Sequence, residues 1–173
     1  MFILNFCFSQ HLRTDTILAS ASLINFIMIS IIQRVTEAKV TVSGIDIGII
    51  QQGIMALVAV EKNDGTAQAD RLLERILNYR IFADANDKMN LSLRDIQGGL
   101  LLVPQFTLAA DTQKGNRPSF ASAAPPQKGL ELFGYLQQKA GLIFPGSQFG
   151  EFGADMKVAL INDGPVTFTL RVE

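Results

Sequence analysis

Asn162-Asp163-Gly164-Pro165-Val166-Thr167 stands near the C-terminus between two apolar runs, Met156 to Ile161 and Val166 to Val172. This is turn chemistry: Gly adopts backbone angles that other residues avoid, and Asn and Asp side chains bond their own backbone. An X-Pro bond lowers the trans preference to ~0.5–1 kcal/mol, so a cis peptide is accessible at Gly164-Pro165. On local sequence the two runs read as strands joined in a hairpin. If the turn serves only that hairpin, nothing else about it needs explaining.

A second stretch, Leu100 to Asp111, changes the reading. Leu100-Leu101-Leu102-Val103 is a buried strand by composition, and it runs on into Pro104-Gln105-Phe106-Thr107-Leu108-Ala109-Ala110-Asp111. The polar residues at its end have no packing reason to be there, and strand ends are where sites sit.

Between these two stretches and the start, the pattern alternates regularly. Ile29 to Val35 and Lys39 to Ser43 repeat apolar and polar residues with a period of two, as strands do. Ser43-Gly44 turns into a strand at Ile45 to Ile50, and Gln51-Gln52-Gly53 into Ile54 to Val60, an apolar run fit for a central strand. Ala69, Leu72, Leu73, Ile76, Leu77 and Arg80 follow helical spacing, with Asp64 or Thr66 as the cap. Arg80 to Ala83 returns to strand. Asp84 to Asp87 is read as a solvated turn, because the ligand count and loop length of a calcium site are missing. A second helix spans Gln127 to Leu142, with Leu130, Phe133, Leu136 and Ala140 on one face. Before it, the long polar loop Asp111 to Pro126 carries Lys114 and Arg117, which read equally as phosphate contacts or as ordinary solvated charges.

Composition sets limits on the chemistry. The chain has 173 residues, 48% of them apolar, with one cysteine, one histidine and no tryptophan. That fits one globular domain. Cys7 and His11 both precede Met28, so the remainder holds no imidazole and no thiol. A zinc site built on Cys or His, a Cys-His pair and a Ser-His-Asp triad are all excluded there. Net charge is −1, so no global basic field points to nucleic acid. Residues 1–27 differ in character from the rest. A secretory signal lacks its basic start, and a membrane span is interrupted by Ser20, Ser22, Asn25 and Ser30. The expectation is an N-terminal extension outside the domain, which runs from residue 28 to 173.

Five segments, in order, resemble the D-aminoacyl-tRNA deacylases, whose motifs read Ser-Gln-Phe-Thr-Leu and Asn-x-Gly-Pro-Val-Thr. They are Ile32-Gln33-Arg34-Val35, Pro104-Gln105-Phe106-Thr107-Leu108, Gly115-Asn116-Arg117-Pro118-Ser119-Phe120, Phe152-Gly153-Ala154-Asp155-Met156 and Asn162 to Thr167. The resemblance implies a single-domain α/β fold: a mixed β-sheet with two main helices and an additional β layer. It implies a cytoplasmic, cofactor-free hydrolase that cleaves the ester of D-aminoacyl-tRNA, or of glycyl-tRNA, at the tRNA 3′ end. Gln105 and Thr107 are the catalytic candidates; Phe106, Gly164, Pro165, Arg34 and Met156 are the substrate-binding ones. The family's Gly-cis-Pro pair enters the partner subunit's site in a homodimer and selects for D-substrates, and Arg34 sits where it would brace that pair. Attack by Thr107 through a covalent intermediate and attack by water with help from the ribose 2′-OH both remain open.

One departure stands out. Pro104 replaces the family's serine, as it does in an animal subgroup that edits L-alanine and holds its Gly-Pro bond trans. That subgroup differs at the next-but-one position, where this chain keeps Phe106. L-alanine editing, or a dimeric RNA-binding module without turnover, are the alternatives.

Overall fold

The computed structural model describes residues 28–173; the expectation for residues 1–27, including Cys7 and His11, lies outside the described residues. In chain order the elements are β1 (Met28–Val42), β2 (Ile45–Ile50), β3 (Gly53–Ala59), α1 (Thr66–Asn78), β4 (Phe82–Ala83), β5 (Met89–Leu91) and α2 (Leu93–Ile96). Then follow β6 (Gly99–Pro104), a 3-10 turn at Phe106–Ala109, α3 (Pro126–Ile143), β7 (Gln148–Phe149) and β8 (Met156–Val172). No helix among the described residues is long and apolar enough to cross a membrane.

The main sheet runs β2-β1-β3-β6-β7, with β8 on the opposite edge of β1. Its centre is β3, antiparallel to β1 and parallel to β6, and its continuous apolar run is buried except at half-buried Leu57. β4 and β5 form a separate two-stranded sheet. One face of the main sheet packs Ile32, Ile54 and Leu100 against the Leu72, Leu73 and Ile76 stripe of α1 and against Phe133 and Leu136 of α3. The other face gathers Val35, Val40, Met55, Leu101 and Val103, with Met156, Val158 and Leu160 of β8 half-buried beside them. Burying a side chain of this kind is worth about 1.5–3 kcal/mol, so the two clusters fix which way each strand faces.

Several expectations are corrected. Residues 156–172 are one strand, not a hairpin: both halves pair antiparallel with β1, from Val42↔Met156 to Met28↔Val172. Likewise 28–42 is one strand where two were read. The N-cap of α1 is Gly65 rather than Asp64 or Thr66, with Gln68 Oε1 accepting from the Gly65 N–H at 3.0 Å. Arg80 lies beyond the end of α1. Leu130 of α3 is 48% exposed, and Leu132 takes a place in the core. α2, unread in the sequence, is a single turn capped by Ser92, whose hydroxyl accepts from the Asp95 N–H while the Asp95 carboxylate bonds back to the Ser92 N–H.

Candidate active site

Strand β6 carries four fully buried residues, Leu100 to Val103, to the end of the sheet. Its last bond to β3 is the Gln105 N–H donating to Val58 O at 2.7 Å. Beyond Gln105 the chain turns at once into the 3-10 helix Phe106–Ala109. Pro104 sits at the end of the ladder without breaking it. Along β6 the backbone groups alternate between neighbours: Gln105 points at β3, and Leu102 accepts from the Gly150 N–H at 2.8 Å. The position of Pro104 therefore faces the β7 side, where pairing already ends at Leu102↔Phe149. A proline there removes no ladder bond.

A 3-10 turn leaves the N–H groups of its first residues without an intrahelical acceptor. Here those residues are Phe106 and Thr107. Gln105 Nε2 donates to Thr107 Oγ1 at 2.5 Å, tying the two polar side chains together across the turn. Phe106 is 57% exposed and tilts against Phe120 of the long loop, ring centroids 5.1 Å apart. Met156 reaches the same place from β8. A Cβ on Gly150 would lie 2.9 Å from the Met156 sulfur and 3.2 Å from Pro104 Cδ, so the bare glycine lets the two approach.

Arg34, Gly164 and Pro165 form a second group. Gln33 pairs with Thr167 and Val35 with Asn162, so two steps along β1 match five along β8. The surplus leaves the sheet as a loop, Asp163 to Val166, opposite Arg34, and the Gly164-Pro165 peptide at its tip is cis. Arg34 fills the space beneath. Its Nη1 donates to Ile81 O at 2.7 Å, and its Nε lies 2.9 Å from Asp163 Oδ2, a charge contact to which the N–H is not aligned. Gly164 has φ +115°, and a Cβ there would sit 2.9 Å from Arg34 Nη2. The backbone angle demands glycine.

Of the residues expected from sequence, Gln105, Phe106, Thr107 and Met156 thus surround the end of β6, while Arg34, Gly164 and Pro165 lie elsewhere. Pro104 pairs with Val58, Val58 with Ser30 and Ser30 with Leu170. Gly164, opposite Arg34, is therefore four residues along β1 and three strands over from Pro104. Sequence reading missed the residues that hold the loop shut: Asn162 Oδ1 accepts from the Val166 N–H at 3.1 Å, and Asn162 Nδ2 donates to Thr167 Oγ1 at 2.8 Å. An Asn at the base of a Gly-Pro turn was the available signal.

The family model described as D-Tyr-tRNA(Tyr) deacylase matches residues 31–171. The chain belongs to that deacylase family. A D-aminoacyl-tRNA deacylase of Pseudomonas putida is 57% identical over 145 residues, 84% of this chain and 100% of the relative. One from Haemophilus influenzae is also 57% identical, again over 84% of this chain and the whole of the relative. Among solved structures, a c-Myc DNA unwinding element binding protein superposes with a TM-score of 0.80 at 34% identity, covering 84% of this chain and 99% of that one. A probable eukaryotic D-amino acid tRNA deacylase shares the fold at a TM-score of 0.73 and 16% identity, covering 84% and 100%. The deacylase is accordingly a hydrolase of aminoacyl-tRNA on an α/β fold, and its chemistry falls on a chain whose described residues contain no histidine.

Proposed function

We propose that the protein hydrolyses the ester of D-aminoacyl-tRNA in a homodimer, each site combining the β6 end of one subunit with the Gly164-Pro165 loop of the other. The observation that carries this reading is the separation just described: residues of one family signature fall into two groups, at the end of β6 and at the loop opposite Arg34, three strands apart in the sheet. The apolar residues Ile45, Ile47, Ile49 and Ile161, exposed on β2 and β8, supply surface for a partner copy.

An aminoacyl ester is already activated, and its transition state gathers charge on the carbonyl oxygen. The N–H groups of Phe106 and Thr107 serve as donors to that oxygen; one such donor is typically worth ~2.7–4 kcal/mol. Thr107 Oγ1 already accepts from Gln105, and a carboxamide cannot take up the hydroxyl's proton. Thr107 thus lacks the base that a nucleophile needs. Water attacks, assisted by the terminal ribose 2′-OH, while Thr107, Gln105, Phe106 and Met156 place the substrate.

Selectivity belongs to the loop. Its backbone carbonyls accept from the substrate's α-amino group and occupy the space an L side chain would need, so the wrong enantiomer is rejected by collision. Glycine has no side chain to collide, so glycyl-tRNA also passes. This chemistry takes place in the cytoplasm and needs no cofactor. Comparing release of D-tyrosine, L-tyrosine and L-alanine from their tRNAs tests the reading: release from D-tyrosyl-tRNA alone supports it. Release of L-alanine would instead assign the editing subgroup, and no release at all a binding module.

A further inference from the structure

We infer that Asn162 and Thr167 are positioning residues for enantiomer selection, acting as a clamp across the mouth of the 163–166 loop. The inference rests on the proposed role of that loop. Asn162 and Thr167 are the last residues paired with β1 on either side of it, opposite Val35 and Gln33. One carboxamide joins them, with Nδ2 on Thr167 Oγ1 at 2.8 Å and Oδ1 on the Val166 N–H at 3.1 Å. The second bond satisfies the Val166 N–H, which lies in the segment that has left the ladder and would otherwise lack a protein acceptor.

Arg34 supports the loop from below through Ile81 O and Asp163, but it does not tie one side of the mouth to the other. Among the described residues the Asn162 amide does. Both flanks stay paired with β1 at Val35 and Gln33, but without the amide the Val166 N–H loses its acceptor and the loop's outward carbonyls lose the fixed position that rejection by collision requires. The obstacle must hold to within about half an ångström to discriminate, so loosening it admits the L-substrate.

Asn162→Ala is expected to lower the ratio of kcat/KM for D-tyrosyl- over L-tyrosyl-tRNA by roughly tenfold, the scale of one lost hydrogen bond, because the L rate rises. Thr167→Val, equal in shape but lacking the acceptor, should shift the ratio the same way, and Thr167→Ser should restore it. Asn162→Asp should also keep discrimination, since the Thr167 hydroxyl can turn and donate to the carboxylate. Melting temperatures recorded alongside separate packing from positioning. A ratio unchanged in both Asn162→Ala and Thr167→Val, whatever their melting temperatures, would overturn the inference while leaving a D-selective wild type intact. A wild type inactive on both enantiomers would remove the loop's proposed role and the clamp with it.

Discussion

Thr107 shows how far a single side chain carries the chemistry. Its hydroxyl is exposed, accepts from Gln105 Nε2, and has no imidazole, thiolate or carboxylate bonded to it among the described residues. If it only places substrate, Thr107→Ala keeps the backbone N–H and should retain measurable turnover, about one hydrogen bond's worth below wild type, or roughly tenfold. A folded but inactive variant in a single-turnover deacylation assay would favour the covalent route instead. Glu61 makes a residue-scale prediction of another kind. Burial first, then the neighbouring Asp64 carboxylate, pushes its carboxyl above the ordinary 4.5, against smaller opposing pulls from Arg171 and Lys62. The folded state therefore holds this proton more tightly than the unfolded chain. That advantage is full below about pH 4.5 and is lost as pH rises through the raised folded value. Glu61→Gln should melt higher than wild type at pH 7, and the gap should close as pH falls below 4.5. A gap of equal size at both pH values would mean that titration is not its cause.

At the scale of elements, legibility depended on how many residues carried the signal. The stripe Ala69, Leu72, Leu73, Ile76 and Leu77 spans two turns, and all five are buried in α1 as read. α2 is too short for any periodicity to show, and Phe106 to Ala109 continued an apolar run without announcing a change from strand to 3-10 helix. The misread of β8 has a sharper cause. Gly-Pro turn chemistry is the same whether the chain reverses or loops out and resumes its course, and only the register with β1 tells the two apart. Close strand approach is equally local. Gly53 and Gly99 face each other across β3 and β6, and a Cβ on Gly53 would fall 2.0 Å from Gly99 O. Gly53→Ala should destabilise by about 1–3 kcal/mol in chemical denaturation, since two backbones must part. Gly134 in α3 is the opposite case: nothing lies within 4 Å of its added Cβ. Gly134→Ala should stabilise by about 0.5–1 kcal/mol in the same experiment, because only unfolded-state freedom is lost. If both substitutions moved stability in the same direction, added bulk at these sites would not be what decides it.

At the scale of the whole molecule, the proposed homodimer is tested by giving its two subunits different defects. Two steps along β1 already match two along β8 if Asp163, Gly164 and Pro165 are deleted, leaving Asn162-Val166-Thr167 as an unbroken strand in register. Such a subunit keeps its β6 end but offers no loop. The complementary subunit, Phe106→Glu, keeps its loop but puts a charge where the proposed site has an exposed aromatic ring. Each homodimer should be inactive or unselective on D-tyrosyl-tRNA. In a heterodimer purified on two tags, a loop that reaches across gives the deleted subunit's intact β6 end the partner's intact loop. One competent site forms, and about half the wild-type turnover per dimer returns together with preference for D-tyrosyl- over L-tyrosyl-tRNA. If each loop instead served its own subunit, one site would have lost its ring and the other its loop, and the heterodimer would be no more selective than the mixed homodimers. That second result would break the two-subunit site, because it would leave each loop serving the β6 end of its own chain.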